Sequence, residues 1–437
     1  MMENSSIDNQ KKGLIEKNDC EIQKENNKLI ILIGSTYFYI YYNNKLMVEP
    51  VLLLFHKDEQ IIYGHNVYEK LNDPDYLDKT MILYDFLYFI NKEINAETKL
   101  ILKKRRLFKS LFFYKQEDNP RYLDNNSIIK FNFKLRKSNE KHRKFMESKI
   151  ILENIKVNNH LTVDNNYYIN YSPTSKELLE IFIKLLYEDL PNIFNDIKFE
   201  KININIIFPS YLNDVQKNII KEIFIEIFKN KFEKSLKLIF EDEIKYYLDK
   251  ISKKIQIENK IIFIHFGGSS LVVILYDYNS KIILCKKEKL IGGLDIDVIL
   301  TNDSLIKFKN ENNNSEIIDI IKIYRIKNEI EEQKKELGVD GDLNIEIESI
   351  KYNRDLNYEM KNNYLKEIFN EIKVDFKNLL DEVIEVVENK KEEIKKVIFT
   401  GNNFKLHYFV NFLHEYFGEN ICEPIFDEEE LKKEDNK

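Results

Sequence analysis

Residues 260–276, KIIFIHFGGSSLVVILY, constrain this chain more than any other stretch. Two apolar runs rich in branched residues flank a glycine pair and two serines. The runs are too short to cross a membrane and have the composition of strands. They read as a hairpin whose glycines, Gly267 and Gly268, allow close approach of another backbone or a ligand. Such a turn serves either as a plain structural corner or as a cradle whose N–H groups hold an anion. The same plan occurs far upstream in LIILIGSTYFYIYYNN: an apolar strand, then Gly34, Ser35 and Thr36, then a second strand. Finding the plan twice indicates a duplicated, two-lobed architecture.

At 437 residues, 43% hydrophobic and 13% aromatic, the chain can bury the cores of two or three domains. Its 67 basic and 74 acidic residues give a net charge of −7, so no global field supports DNA binding. Two local basic clusters stand out. One is Lys103, Lys104, Arg105 and Arg106; the other gathers Lys134, Arg136, Lys137, Lys141, Arg143 and Lys144. Each reads either as a solvated face or as a contact for an anionic partner such as RNA. Three cysteines without metal-ligand spacing suit a reducing compartment. The N-terminus has no apolar run of a secretory signal, and no run reaches the roughly 18 apolar residues of a membrane span. A cytoplasmic location is the expectation.

Residues 1–27 read as a flexible polar tail, and residues 427–437 as an acidic one. Residues 72–110 look helical, and residues 116–170 look like hairpins and loops. Residues 172–187 read as an amphipathic helix with Thr174 as N-cap and Glu177 completing a capping box. A strand at 202–208, a helix at 212–228 and a strand ending at Glu241 follow. After the central hairpin, a Gly–Gly turn at 292–293 enters a helix, and a charged helix covers 319–337. A long helix spans 364–387. It leads to VIFTGNN, a strand, Gly401 and a helix, the geometry that turns backbone N–H groups toward a ligand.

In this order, the segments resemble the nucleotide-binding domain of the Hsp70 chaperones, within the actin/Hsp70/sugar-kinase ATPase superfamily. ILIGSTY resembles the first phosphate loop, and IFPSYLNDVQK the strand-end signature with its Pro, Asn-Asp and Gln. IHFGGSS resembles the second phosphate loop, IGGLDID the Leu-Gly-Gly turn, NEIEEQKKEL the helix beside the adenine, and IFTGNNFKL the final nucleoside loop. The resemblance implies an α/β, actin-like (ribonuclease H-like) fold of two lobes about a central cleft. Lobe I would be residues 28–255 and lobe II residues 256–426. It implies nucleotide contacts at Gly34, Ser35, Thr36, Gly267, Gly268, Ser269, Ser270, Glu331, Lys334, Lys335, Gly401, Asn402, Asn403 and Lys405. The sequence departs from the pattern at Asn402 and Asn403, where the family has Gly-Ser, and at Lys405, where it has arginine.

The family's chemistry is eroded. Hydrolysis of ATP needs a held magnesium ion and groups that orient water. The family's acids fall on Leu32, His265 and Val272, and its lysine on Leu87; Glu241 is the one acid retained. Leucine and valine bind no cation, and one carboxylate is a poor Mg²⁺ site. His265 is either a packing residue or, when protonated, a phosphate contact, since its ordinary pKa is about 6.5. The expectation is a pseudo-ATPase that holds ATP or ADP without a conventional magnesium site, or holds no nucleotide. Three functions follow from the resemblance. The first is a non-hydrolysing Hsp70-like partner in protein folding, similar to the family's ribosome-associated member, which works with a J-domain chaperone on emerging chains. The second is an active ATPase using carboxylates such as Asp295 and Asp297. The third is a scaffold subunit without nucleotide.

Overall fold

The hairpins anticipated about Gly34 and Gly267 lie in two five-stranded sheets of the same plan. The computed structural model describes residues 28–43, 45–56, 61–70, 80–84, 86–90, 133–136, 161–164, 168–171, 174–195, 197, 202–229, 237–252, 260–312, 320–337, 341–351, 354–387, 393–419 and 422–425. In chain order, strands β1 (Lys28–Ile33), β2 (Tyr37–Tyr42), β3 (Lys45–Pro50), β4 (Leu52–His56) and β5 (Ile61–Tyr63) lead to helix α1 (His65–Lys70). Strand β6 (Thr80–Tyr84) and a 3-10 turn (Phe86–Phe89) follow, then strands β7 (Phe133–Arg136), β8 (Leu161–Asp164) and β9 (Tyr168–Tyr171). Helix α2 (Ser175–Ile193), β10 (Asn203–Phe208), α3 (Asp214–Lys229), β11 (Lys237–Asp242) and α4 (Glu243–Ser252) come next. The later part contains β12 (Lys260–Phe266), β13 (Leu271–Asp277), β14 (Ile282–Lys289), α5 (Gly293–Asn312) and α6 (Ile320–Glu336). It continues with β15 (Leu343–Lys351), β16 (Arg354–Met360), α7 (Asn362–Glu385), β17 (Ile394–Thr400), a 3-10 turn (Asn402–Lys405), α8 (His407–Phe417) and β18 (Cys422–Ile425).

The first sheet has the order β3-β2-β1-β10-β11 and the second β14-β13-β12-β17-β18. In each, the central strand starts an antiparallel meander on one side. On its other side it pairs with one parallel strand, which in turn pairs with a second parallel strand at the edge. The parallel pairs need crossover connections, which α2 and α3 supply in the first sheet and α5 to α8 in the second. This mixed plan is the ribonuclease H-like fold implied by the resemblance. One sheet is drawn from residues 28–242 and the other from residues 260–425.

Burial explains the composition of the central strands. β2 is buried at all six positions, and β12 at six of its seven, as expected of strands covered on both faces. Helix α7 covers β13 and β14, and Phe409 of α8 meets Phe266 of β12 edge to face at 5.0 Å. Helix starts match the sequence signals. Thr174 and Glu177 form the reciprocal capping box on α2. Asn213 and Gln216 do the same for α3, each backbone N–H donating to the other's side-chain oxygen at 3.1 and 2.9 Å. The Gln216 amide also donates to the buried carbonyl of Ile90 at 2.9 Å, so the Asn-Asp-Gln signature is an anchor for the helix.

One segment differs from expectation. Within residues 72–110, expected to be helical, Thr80–Tyr84 is a strand paired antiparallel with β4, followed by the 3-10 turn. Its residues, TMILY, are branched or aromatic, and pairing with the apolar β4 outweighs weak helical periodicity. The tails at 1–27 and 427–437 lie outside the described residues, as do Lys103 to Arg106 and most of the second basic cluster; Lys134 and Arg136 are on β7. Among the described residues, no helix is long and apolar enough to cross a membrane.

The junction of β3, β5 and α1 carries a buried carboxylate. Gly64 has φ +60°, and a methyl group there would overlap Glu49 Oε1. Glu49 accepts the His65 N–H at 2.7 Å. Burial pushes its carboxyl up to about 7, with the His65 N–H pulling back and Asp189 adding to the rise. A carboxyl raised on folding contributes stability that is present below its unfolded pKa and lost as pH rises through about 7. Glu49→Gln keeps the acceptor for His65 and removes that loss. The variant should gain on the order of 3 kcal/mol over the wild type at pH 9, and little at pH 5. Urea unfolding at both pH values checks this; equal differences at the two would refute it.

Candidate functional site

The second sheet's loops meet at the end of β12. The Gly267 carbonyl accepts the Gly293 N–H at 3.1 Å, and the Gly268 carbonyl accepts the Leu294 N–H at 2.9 Å. Asn403 Nδ2 donates to the Gly267 carbonyl at 2.6 Å and to the Phe266 carbonyl at 3.2 Å. Gly401, at φ +107°, lies against the Phe266 carbonyl, and a side chain there would overlap it. The three glycine loops, met separately in the sequence, are thus one tight backbone cluster. The Gly268 backbone faces Thr36 of the first hairpin closely enough that a methyl at Gly268 would overlap the threonine side chain.

A cavity of about 40 Å³ lies here. It is lined by Thr36, Gly268, Glu331, Lys334, Lys335, Asn402 and Asn403 among the residues assigned from the sequence. Tyr37, Gly293, Leu294, Asp297, Lys327 and Leu406 complete the lining and were not among those assigned. Gly34, Ser35, Gly267, Ser269, Ser270, Gly401 and Lys405 do not line it. Ser35, Ser269 and Ser270 are buried, and Ser270 Oγ has no hydrogen-bond partner among the described residues.

The cavity's charged groups are committed to one another. Lys327 pairs with Glu331 one turn along α6, and Tyr37 OH donates to Glu331 Oε1. Burial alone would raise the Glu331 carboxyl; Lys327, Lys335 and Lys334 outweigh it and hold the group at about 2. Burial would lower Lys327, but Glu331 holds it above the ordinary lysine range. Lys334 Nζ lies 2.5 Å from Asp297 Oδ1 and donates to the Gly293 carbonyl at 3.1 Å. Burial raises the Asp297 carboxyl, and Lys334 offsets only part of the rise. Lys335 pairs with Glu332 at 2.7 Å and sits 5.2 Å from the centre of the Tyr37 ring. Asp295, the other carboxylate of this turn, accepts the Gly292 N–H at 2.8 Å.

The residues that the resemblance sets at the family's acid and lysine positions have defined surroundings. Leu32, Val272 and Leu87 are buried among apolar residues. Val272 stands directly opposite His265 across the β12–β13 pair. His265 Nδ1 donates to Glu243 Oε1 at 2.7 Å. Glu243 Oε2 accepts the Ser210 N–H and hydroxyl, both at 2.9 Å. Burial would raise the Glu243 carboxyl, but His265 and the Ser210 donors bring it below the ordinary range. Glu243 was missed in the sequence. Glu241, two residues earlier on β11, instead accepts from Asn205 at 3.3 Å. The available signal was a carboxylate opening α4 just beyond the end of β11 in the first sheet, as His265 stands near the end of β12 in the second. Among the described residues, no three His, Cys, Asp or Glu side chains converge to hold a metal ion.

The model of the family described as Hsp70 protein matches residues 140–431. The chain belongs to the Hsp70 family. Chaperone protein DnaK of Picrophilus torridus is 25% identical over 180 residues, which is 40% of this chain and 29% of that protein. This chain thus matches less than a third of that relative's length. Hsp70 membership implies nucleotide binding in general. The residues at this family site fit a magnesium nucleotide poorly: apolar groups and a committed His–Glu pair stand at the acid positions. The cavity has room for about three waters at roughly 10–15 Å³ each, far below the roughly 300 Å³ of small ligand pockets.

The Glu243–His265 pair gives a sign-defined test. A carboxyl lowered on folding contributes stability that is present above its unfolded pKa and lost as pH falls through the folded one. Glu243→Ala leaves His265 and Ser210 without that acceptor and should cost about 3–5 kcal/mol at pH 7. The cost should shrink as pH drops toward 3. Urea denaturation across that range measures it, and a loss below about 1 kcal/mol at pH 7 would show that the pair does not hold the site.

Proposed function

We propose that this Hsp70-family protein serves protein folding as a pseudo-ATPase, working as a partner in a chaperone assembly without hydrolysing ATP. The observation that supports the reading most directly is the His265–Glu243 pair with Val272 opposite it. Hydrolysis in this fold requires carboxylates that hold Mg²⁺ in oxygen coordination and orient the attacking water. Here an imidazole is bound to a buried carboxylate, and its lateral neighbour is a valine. Neither arrangement offers open oxygen ligands. Asp295 and Asp297, the carboxylates an active enzyme could have used, cap a helix start and pair with Lys334. When bound in the family's manner, the nucleotide would supply negative charge to Lys327, Lys334 and Lys335, which here pair with Glu331, Asp297 and Glu332.

Purified full-length protein should release no phosphate from ATP above the buffer rate, with or without Mg²⁺. Magnesium-dependent turnover, reduced in Glu243→Ala or Glu241→Ala, would overturn the reading.

The partner in this proposal is a J-domain chaperone or the ribosome, supported by the basic residues near Lys103 and Lys134. Neutralising phosphates makes such binding steeply salt-dependent. The protein should sediment with ribosomes at low salt, and substituting Lys103, Lys104, Arg105 and Arg106 by alanine should release it. Absence from the ribosomal fraction at low salt would remove the ribosome from the proposal.

A further inference from the structure

The pseudo-ATPase reading concerns hydrolysis; the side chains that cross between the two sheets concern binding. From the first hairpin, Tyr37 donates to Glu331 of α6 and places its ring beneath the Lys335 ammonium. Tyr39, on the same strand, accepts from Asn402 Nδ2 at 2.7 Å. Further out, Tyr68 of α1 stacks on Tyr324 of α6, with ring centres 6.2 Å apart and planes inclined by 27°. On the floor, Glu243 meets His265, and Lys286 of β14 donates to the Ser210 carbonyl. Every one of these contacts joins a residue before 250 to one after 260.

Tyr37, Tyr324 and Glu331 are each buried. Burial, with Glu331 beside it, keeps the Tyr37 hydroxyl protonated well above neutral pH, so it remains the donor. A nucleotide entering this space would have to displace a buried hydroxyl from a buried carboxylate and separate two aromatic pairs of groups. Doing so leaves polar groups without partners, which is the costly direction for a hydrogen bond.

We infer that this chain closes its interlobe cleft on its own side chains, with the Tyr37 ring and hydroxyl taking up Glu331 and Lys335 in place of a nucleotide. The two lobes therefore hold a closed arrangement independently of ATP or ADP. A partner would meet one fixed surface instead of a surface switched by nucleotide. Tyr37 and Asn402 are the residues on which this closure rests. The first fills the cleft, and the second spans it from a position where the family has glycine.

The test uses the full chain. Hydrogen–deuterium exchange across α6 and the Asn402–Lys405 turn should be the same without ligand and with millimolar ATP or ADP, each with and without Mg²⁺. The midpoint of thermal unfolding should also stay constant. A rise of several degrees, or new protection at these segments, would overturn the inference. Nucleotide binding without phosphate release would do so while leaving the pseudo-ATPase proposal standing; turnover would overturn both. The double variant Tyr37→Ala, Asn402→Gly should speed exchange in α6 about tenfold, while β12 and β13 keep their protection. If the double variant does not fold, Tyr37→Phe, which removes one hydroxyl, should speed exchange in α6 about threefold. Unchanged α6 exchange in whichever variant folds would show that these side chains do not hold the lobes together.

Discussion

The carbonyls at the end of β12 are the point on which the site depends. Those of Phe266, Gly267 and Gly268 lie at the end of a buried strand and in the turn that leaves it, and they need donors from elsewhere in the chain. Their donors come from two distant loops: Gly293 and Leu294 at the start of α5, and Asn403 beyond β17. Satisfying three carbonyls in this way fixes where α5 begins and where the β17 loop turns. It also dictates glycine at Gly292 and Gly401, because any side chain would strike the carbonyls themselves. The glycines therefore serve the backbone cluster whether or not an anion is present. A glycine-rich loop here is not by itself evidence of phosphate binding.

The backbone cluster sets the position of α6, and α6 brings the charged groups together. Lys327, Glu331, Lys334 and Lys335 point from one helix toward Asp297 and Tyr37. Three ammonium groups face two carboxylates, yet each is taken up internally. Lys327 and Lys334 have buried carboxylate partners, whereas Lys335 has the exposed Glu332 and the Tyr37 ring. Such a network is stable only if every member is satisfied, because a lone charge in this environment is far more costly than a paired one. In the closed cleft inferred above, the same completeness leaves each of these three ammonium groups with a partner inside the chain.

Much of the fold was legible because its signals are local and repeated. The strand–glycine–strand plan at Gly34 and Gly267 marked both sheet centres, and the Thr174–Glu177 box marked the start of α2 to the residue. Residues Thr80–Tyr84 misread as helix because pairing with β4 is a long-range fact that no window of sequence carries. In the site, Glu331, Lys334 and Lys335 were legible as cleft residues through the resemblance to the family's adenine-flanking helix. Their long-range partners were not, because Tyr37 and Asp297 come from two other elements; Lys327, one turn from Glu331 on α6, was a local signal not used. Glu243 was hidden behind Glu241: two acids stand two residues apart, and the break from strand to helix decides which one turns toward His265.

The replacements at the acid positions have a thermodynamic direction. An aspartate on a central strand is a liability unless a cation or hydrogen bonds offset its desolvation, so acids at Leu32 and Val272 would cost the sheet stability in the absence of such partners. Leucine and valine bury fully at these places and contribute roughly 1.5–3 kcal/mol each relative to exposure. His265, the third, is retained as a polar group by acquiring Glu243. At all three positions the side chain's interactions are contained within the chain. Functional sites commonly carry groups that destabilise the fold in the absence of ligand, and stability rises when they are lost. The first-hairpin tyrosines extend the same containment across the cleft: what a bound molecule could have bridged, Tyr37 and Tyr39 bridge instead.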